Sequence, residues 1–188
     1  MKKNTNDYWM YIKHSIETAL QNPDRQVKEI LVEKKFEFFY RNFVENNNIF
    51  KKKIKFKVNN KLTILKKIGK LAKYQGVALL VEKIDINKKS LNKNKILQEQ
   101  FILIIDQLND PSNLGALLRV SYAFGVKSVI IPERSMPEES GFVASMASGA
   151  LDKIKIFKVK NLIGVIAYLK KNNWWIIGLE SKELNKCI

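Results

Sequence analysis

A single cysteine, Cys187, and a single histidine, His14, are all the chain has of the side chains that most often build disulfides and zinc sites. No disulfide can close within the chain, and one Cys with one His cannot complete an ordinary four-ligand zinc centre. The expectation is a reduced, cytoplasmic protein without a metal site. Apolar runs are short. None approaches the ~20 residues that span a bilayer, so no membrane role is expected. The opening "MKKNTNDYWMYIKHSIETAL" carries lysines with no continuous apolar stretch behind them, which speaks against a secretory signal. Acidic residues are also scarce: 18 Asp and Glu stand against 34 Lys and Arg, a net charge of +16.

That surplus is uneven. Residues 1–100 hold 23 Lys and Arg against 10 Asp and Glu, an excess of 13, whereas residues 101–188 hold 11 against 8, an excess of 3. A polyanion such as RNA is the natural partner of the first half, because each neutralised phosphate releases condensed counterions. A chain rich in Lys, Asn and Ile also results from A/T-rich codons, and charge alone leaves that reading open. The hydrophobic content of 46% suffices for a packed core.

Two parts emerge along the chain. In residues 1–84 the spacing predicts a helix over "IKHSIETAL", a strand over "VKEILVE" and a helix over "KFEFFYRNF" with its aromatic residues buried. A half-exposed strand over "KIKFKV", a short helix over "KLTILKKIGK" and a strand over "QGVALLVEKI" follow. Residues 85–100, "DINKKSLNKNKILQEQ", read as a solvated polar linker with a helical second half. In residues 101–188, strands "FILIID", "KSVIIP", "IKIFKV" and "WWIIGLE" alternate with helices "NLGALLRVSYAF", "EESGFVASMASGAL" and "NLIGVIAYLKKN". Apolar strands alternating with helices predict an α/β fold with a doubly wound parallel sheet. Trp174 and Trp175 are expected on that sheet, and His14 as a capping or packing residue.

In such a sheet, ligands collect beyond the carboxyl ends of the strands. Asp106 stands at one of those ends, followed by "QLNDPSNLGALLR". Pro111 fixes its own φ and pushes Asp110 toward an extended conformation, so the turn is stiff. Asn113 or Ser112 is placed to cap the helix, and Gly115 lets a backbone or a ligand approach closely. Arg119 shares a helix face with Ala116 and Ala123, while Leu114, Leu117, Leu118 and Ser121 face the core. By itself, such an arginine reads equally as a solvated residue or a partner of Asp106 or Asp110. The loop is neither a GxxxxGK[ST] phosphate loop nor a GxGxxG dinucleotide loop, and the GxSxG elbow of serine hydrolases is absent.

The stretch "DPSNLGALLR" resembles the first signature, D-P-x-N-x-G-x-x-x-R, of the SpoU-type (TrmH-type) RNA ribose 2′-O-methyltransferases of the SPOUT superfamily. Asp110, Pro111, Asn113, Gly115 and Arg119 match it. "YIKHSIETALQNP" and "KYQGVALLVE" are similar to the family's N-terminal RNA-binding domain, and "ASGALDKIKIFKVKNL" and "WWIIGLE" to the middle of its catalytic domain. The subgroup most resembled methylates a guanosine ribose in large-subunit ribosomal RNA, although Tyr74 stands where that subgroup usually has histidine.

The resemblance implies an RNA substrate-binding domain over 1–84, a linker over 85–100 and a SPOUT methyltransferase domain over 101–188, with S-adenosylmethionine as cofactor and RNA as partner. It assigns Arg119 to activation of the ribose 2′-hydroxyl and Asn113 to holding the loop that presents it. Gly178, Leu179 and Glu180 would form one wall of the cofactor site. A guanidinium is a permanent cation, so stabilising a developing alkoxide or fixing the adjacent phosphate is physically easier than removing a proton. Two later family signatures, which thread the trefoil knot and complete the cofactor pocket, do not occur in these 188 residues. The expectation is therefore an incomplete SPOUT domain, completed by a longer product, a second polypeptide or a homodimer. A non-catalytic RNA-binding remnant and a decayed fragment are the alternatives.

Overall fold

A computed structural model describes residues 6–46, 54–69, 73–84, 91–133 and 136–179. The first part begins with a strand that sequence reading passed over, β1 (Asp7–Met10), then α1 (Lys13–Gln21) and β2 (Val27–Val32). A single 3-10 turn, Lys34–Phe36, leads into α2 (Glu37–Asn46), followed by β3 (Lys55–Val58), α3 (Lys61–Ile68) and β4 (Val77–Glu82). The sheet order is β1-β4-β2-β3, with β2 and β3 parallel and the other pairs antiparallel. Alternation along the strands separates two faces. Ile30, Val32, Leu79 and Val81 join Ile16, Ala19, Leu20, Tyr40 and Val44 of α1 and α2 in the main core. Leu31 and Ala78 point the other way, onto Ile64 of α3.

The aromatic residues of α2 are not all buried. Tyr40 is, but Phe38 and Phe39 are exposed, because one helical stripe covers the core and consecutive positions lie ~100° apart on an α-helix. The strand β3 is also more exposed than its alternation suggests: only Phe56 is half-buried.

Of the expected solvated linker, residues 85–90 lie outside the described residues, and the remainder is not wholly solvated: it contains a short helix, α4 (Lys93–Ile96), which is capped by the Asn92 side chain and whose Ile96 is buried. The second part then runs β5 (Ile102–Ile104), α5 (Pro111–Ala123), β6 (Ser128–Pro132), α6 (Gly141–Ala147), a 3-10 turn at Ala150–Asp152, β7 (Lys155–Val159) and α7 (Leu162–Lys171). The strands form a parallel sheet in the order β5-β6-β7. Val129, Ile131 and Ile156 face α5 and α6, while Ile130 and Phe157 pack with Ile96 of α4 and Leu169 of α7. Helices thus cover both faces, as expected for a doubly wound sheet.

The expected fourth strand is absent: residues 174–179 carry no strand in this structure. Asn173 turns the chain out of α7 with φ +63°, and the Trp174 N–H donates to the Leu169 carbonyl at 3.1 Å. Trp174 packs against the α4–α7 cluster, but Trp175 is 92% exposed and does not join the sheet. An apolar run makes a strand possible; only a paired edge makes one.

The two sheets share one hydrophobic core, which runs from Met10 and Ile16 to Leu114, Val143 and Ile156. Glycine makes that contact close. A Cβ on Gly141 would collide with the Trp9 carbonyl, and one on Gly149 would lie 2.7 Å from Thr18 Oγ1.

Candidate functional site

The loop after β5 leaves the carboxyl end of the parallel sheet through Asp106 and Gln107, and Gln107 adopts φ +53°. A non-glycine residue in the left-handed region carries strain that the surrounding fold must hold. Asp110, not Asn113 or Ser112, caps α5. Its backbone is extended (φ −86°, ψ 121°), and its Oδ1 accepts the Ser112 N–H at 2.8 Å. Pro111 occupies the first helical position, where its missing N–H costs nothing and its fixed φ suits the helix. The Ser112 backbone N–H and hydroxyl hold the Asp110 carboxyl below its ordinary range. Asn113 is thereby moved into the first turn, exposed.

Gly115 meets protein. A Cβ there would clash with the Met146 side chain and come within 2.9 Å of the Val143 carbonyl, so the glycine serves the contact between α5 and α6. Leu114, Leu118 and Ser121 of α5 are buried as their spacing predicts, and Leu117 is half-buried. Arg119, one turn beyond Gly115, is exposed. Among the described residues no carboxylate pairs with it, and Asp110 is engaged by Ser112 instead. Asn113 and Arg119 lie six residues apart on one helix, about 9 Å along its axis and on different faces.

Gly178 and Leu179 lie in open chain. Nothing comes within 4 Å of a Cβ built on Gly178, and Leu179 is 97% exposed. Glu180 lies outside the described residues. As placed, this stretch does not enclose a small-molecule cofactor. Among the described residues no cluster of His, Cys, Asp and Glu could hold a metal ion, and no helix is long and apolar enough to cross a membrane. His14 is the second residue of α1 and exposed; α1 has no side-chain cap.

What sequence reading missed is a buried polar cluster between the two sheets. Arg25, 1% exposed, forms a two-pronged ion pair with Asp152, Nε to Oδ1 at 2.8 Å and Nη2 to Oδ2 at 3.0 Å. Its Nη1 also donates to Glu139. Glu139 in turn accepts the Tyr8 hydroxyl at 2.5 Å and the Ile84 N–H at 3.0 Å. Burial works against the Arg25 charge, but Tyr8, Asp152 and Glu139 outweigh it and raise its pKa. Beside the cluster is a cavity of about 220 Å³ lined by residues including Asn22, Asp24, Glu139 and Lys153. In "NPDRQ" nothing local marks Arg25 as buried; the carboxylates that pair with it, Glu139 and Asp152, lie more than a hundred residues away.

Residues 100–187 match the sequence profile described as the SpoU rRNA Methylase family. A Staphylococcus epidermidis protein, provisionally described as a TrmH family tRNA/rRNA methyltransferase, is 36% identical over 115 residues, covering 60% of this chain and 46% of that protein. A Staphylococcus saprophyticus protein of the same description is 43% identical over 82 residues, 44% of this chain and 33% of that protein. The chain thus spans half or less of the relatives it matches. Among solved structures, an AdoMet-bound rRNA methyltransferase from Sinorhizobium meliloti superposes with a TM-score of 0.63 at 18% identity, covering 88% of this chain and 59% of that one. An RNA 2′-O ribose methyltransferase superposes with a TM-score of 0.60 at 19% identity, covering 89% and 60%. The fold is that of the SpoU methyltransferases.

Proposed function

We propose that this chain supplies the RNA-holding part of an S-adenosylmethionine-dependent RNA ribose 2′-O-methyltransferase, acting on ribosomal RNA, with a guanosine of the large subunit as the target that the sequence most resembles. Residues 1–84 bind RNA, residues 85–100 link, and residues 101–188 belong to the methyltransferase domain. One observation carries the reading: the capped turn at Asp110–Pro111 leads into a helix that presents an exposed Arg119, without a carboxylate partner among the described residues, within the segment matched by the SpoU profile.

Arg119 supplies a fixed positive charge to the RNA, stabilising oxyanion character at a ribose hydroxyl or gripping its phosphate. The Asp110 cap fixes the start of the helix, and Asn113 is carried exposed in its first turn, open to the RNA. The cofactor supplies the methyl group when bound. Gly178 and Leu179 do not enclose it as they stand, so the pocket requires further polypeptide, from the same chain, a second copy or another protein.

Calorimetry with S-adenosylmethionine and transfer of labelled methyl groups to ribosomal RNA, measured on the chain together with the polypeptide that completes the pocket, test this reading. Arg119→Ala should abolish transfer while RNA affinity changes less than about threefold. If millimolar S-adenosylmethionine gives no heat and RNA still binds, the second reading, a non-catalytic RNA-binding protein, replaces the first; the open chain at Gly178 and Leu179 is the observation that favours it.

A further inference from the structure

The carboxyl ends of the parallel pair β2–β3 frame an open groove of about 480 Å³, lined by Glu33, Lys34, Lys35, Val58, Asn59, Asn60 and Lys61. Its floor is tied together by the Asn59 N–H, which donates to the Val32 carbonyl at 2.9 Å. Among the described residues Lys61 has no ion-pair partner. Lys34 pairs with Glu37 at 2.8 Å and Lys35 with Glu33 at 3.4 Å, but both lysine side chains are largely exposed, and such pairs yield readily to a stronger anion.

The next helical turn carries aromatic rings. Phe36 is occupied: the ammonium groups of Lys13 and Lys35 lie 4.3 and 5.0 Å from its ring centre, and it closes over Gly76. Phe38 is 79% exposed and Phe39 is 52% exposed. A lone exposed phenylalanine needs no explanation. Phe39 is engaged by its own helix, its ring centre 6.0 Å from that of Phe43 in a stacked arrangement and 5.0 Å from that of Tyr40. Phe38, three to four residues from Lys35 and Lys34, makes no ring contact among the described residues. An open ring beside basic side chains is the combination that holds single-stranded nucleic acid through phosphate contacts and base stacking.

We propose that this groove and Phe38 bind an unpaired stretch of RNA, with phosphates on Lys34, Lys35 and Lys61 and a base stacked on Phe38. The proposal rests on the RNA reading above and commits the first part of the chain to a single-stranded recognition element. Charge selects this occupant over a protein partner: residues 1–100 carry the excess of 13 positive charges.

The test uses the full chain, a fluorescent unstructured oligouridylate of about 12 nucleotides, and a duplex of equal length. Phe38→Ala should weaken single-strand binding about tenfold and leave the slope of affinity against salt unchanged, because stacking is lost without loss of a charge. Replacing Lys34, Lys35 and Lys61 together by Ala should lower that slope by about two, at roughly 0.7 per phosphate contact. All four side chains are exposed or line an open surface, so thermal unfolding should be unchanged. RNA binding that is indifferent to both variants, or equal affinity for the duplex, overturns the groove and leaves the RNA reading standing. Self-association lost in Phe38→Ala while RNA binding persists would assign the patch to a second copy instead. Absence of any RNA binding by the unaltered chain overturns both readings.

Discussion

Arg25 and Asp152, 127 residues apart, form a buried, two-pronged ion pair that joins the β2 side of the first sheet to the turn before β7 of the second. Tyr8 and Glu139 complete the cluster, and the Ser15 hydroxyl donates to the Ala144 carbonyl across the same boundary at 2.6 Å. The two sheets are thereby fixed in one relative position.

Removing Arg25 leaves Asp152 and Glu139 buried without their cation. Arg25→Ala should cost about 3–5 kcal/mol, the range for breaking one side of a buried pair. Arg25→Lys should cost less, since it keeps the charge and loses the fork. Urea denaturation followed by circular dichroism measures both. Equal stability of the Ala variant and the parent would show that the cluster contributes nothing net.

Burial, then the neighbouring Glu139 carboxylate, raise the Tyr8 pKa well above the ordinary value. The unfolded chain therefore loses the Tyr8 proton more readily than the folded one. This contribution is complete below about pH 10, the unfolded value, and is lost as pH rises toward the folded one. Melting temperature should fall steeply above pH 10. Tyr8→Phe should make that fall shallower, with Tyr40 and Tyr74, also raised by burial, supplying the remainder.

Asp110 gives the opposite dependence. Its carboxyl titrates below the usual range because Ser112 donates to it, so the cap is intact above about pH 4 and weakens as pH falls through the lowered value. Asp110→Ala should lower the melting temperature by a few degrees at neutral pH. The difference between parent and variant should vanish in acid.

Gly115→Ala separates packing from propensity. Alanine favours an exposed helix by about 1 kcal/mol over glycine, yet here its methyl group would meet Met146 and the Val143 carbonyl. Net destabilisation of about 1–3 kcal/mol is expected from overpacking. A variant more stable than the parent would mean that α6 moves aside freely.

Local rules carried much of the fold. Helical and alternating apolar spacing located α1, α3, α5 and α7 and strands β2 to β7, because each depends on residues a few positions apart. Pro111 marked the start of α5, although the cap fell on Asp110, since proline fits the first helical position better than a position inside the turn. The burial of Leu114, Leu118 and Ser121 was equally readable.

What the sequence determined by itself was the set of pieces: the elements, the stiff turn, the arginine on its helix and the uneven charge. Tertiary structure decided which pieces met. β1 exists because β4 offers it an edge, and residues 174–179 remain open because no strand among the described residues pairs with them. Arg25 is buried because Asp152 and Glu139 converge on it from the distant half of the chain. Helical turns are governed by neighbours in sequence, whereas sheet edges and buried charges are governed by neighbours in space.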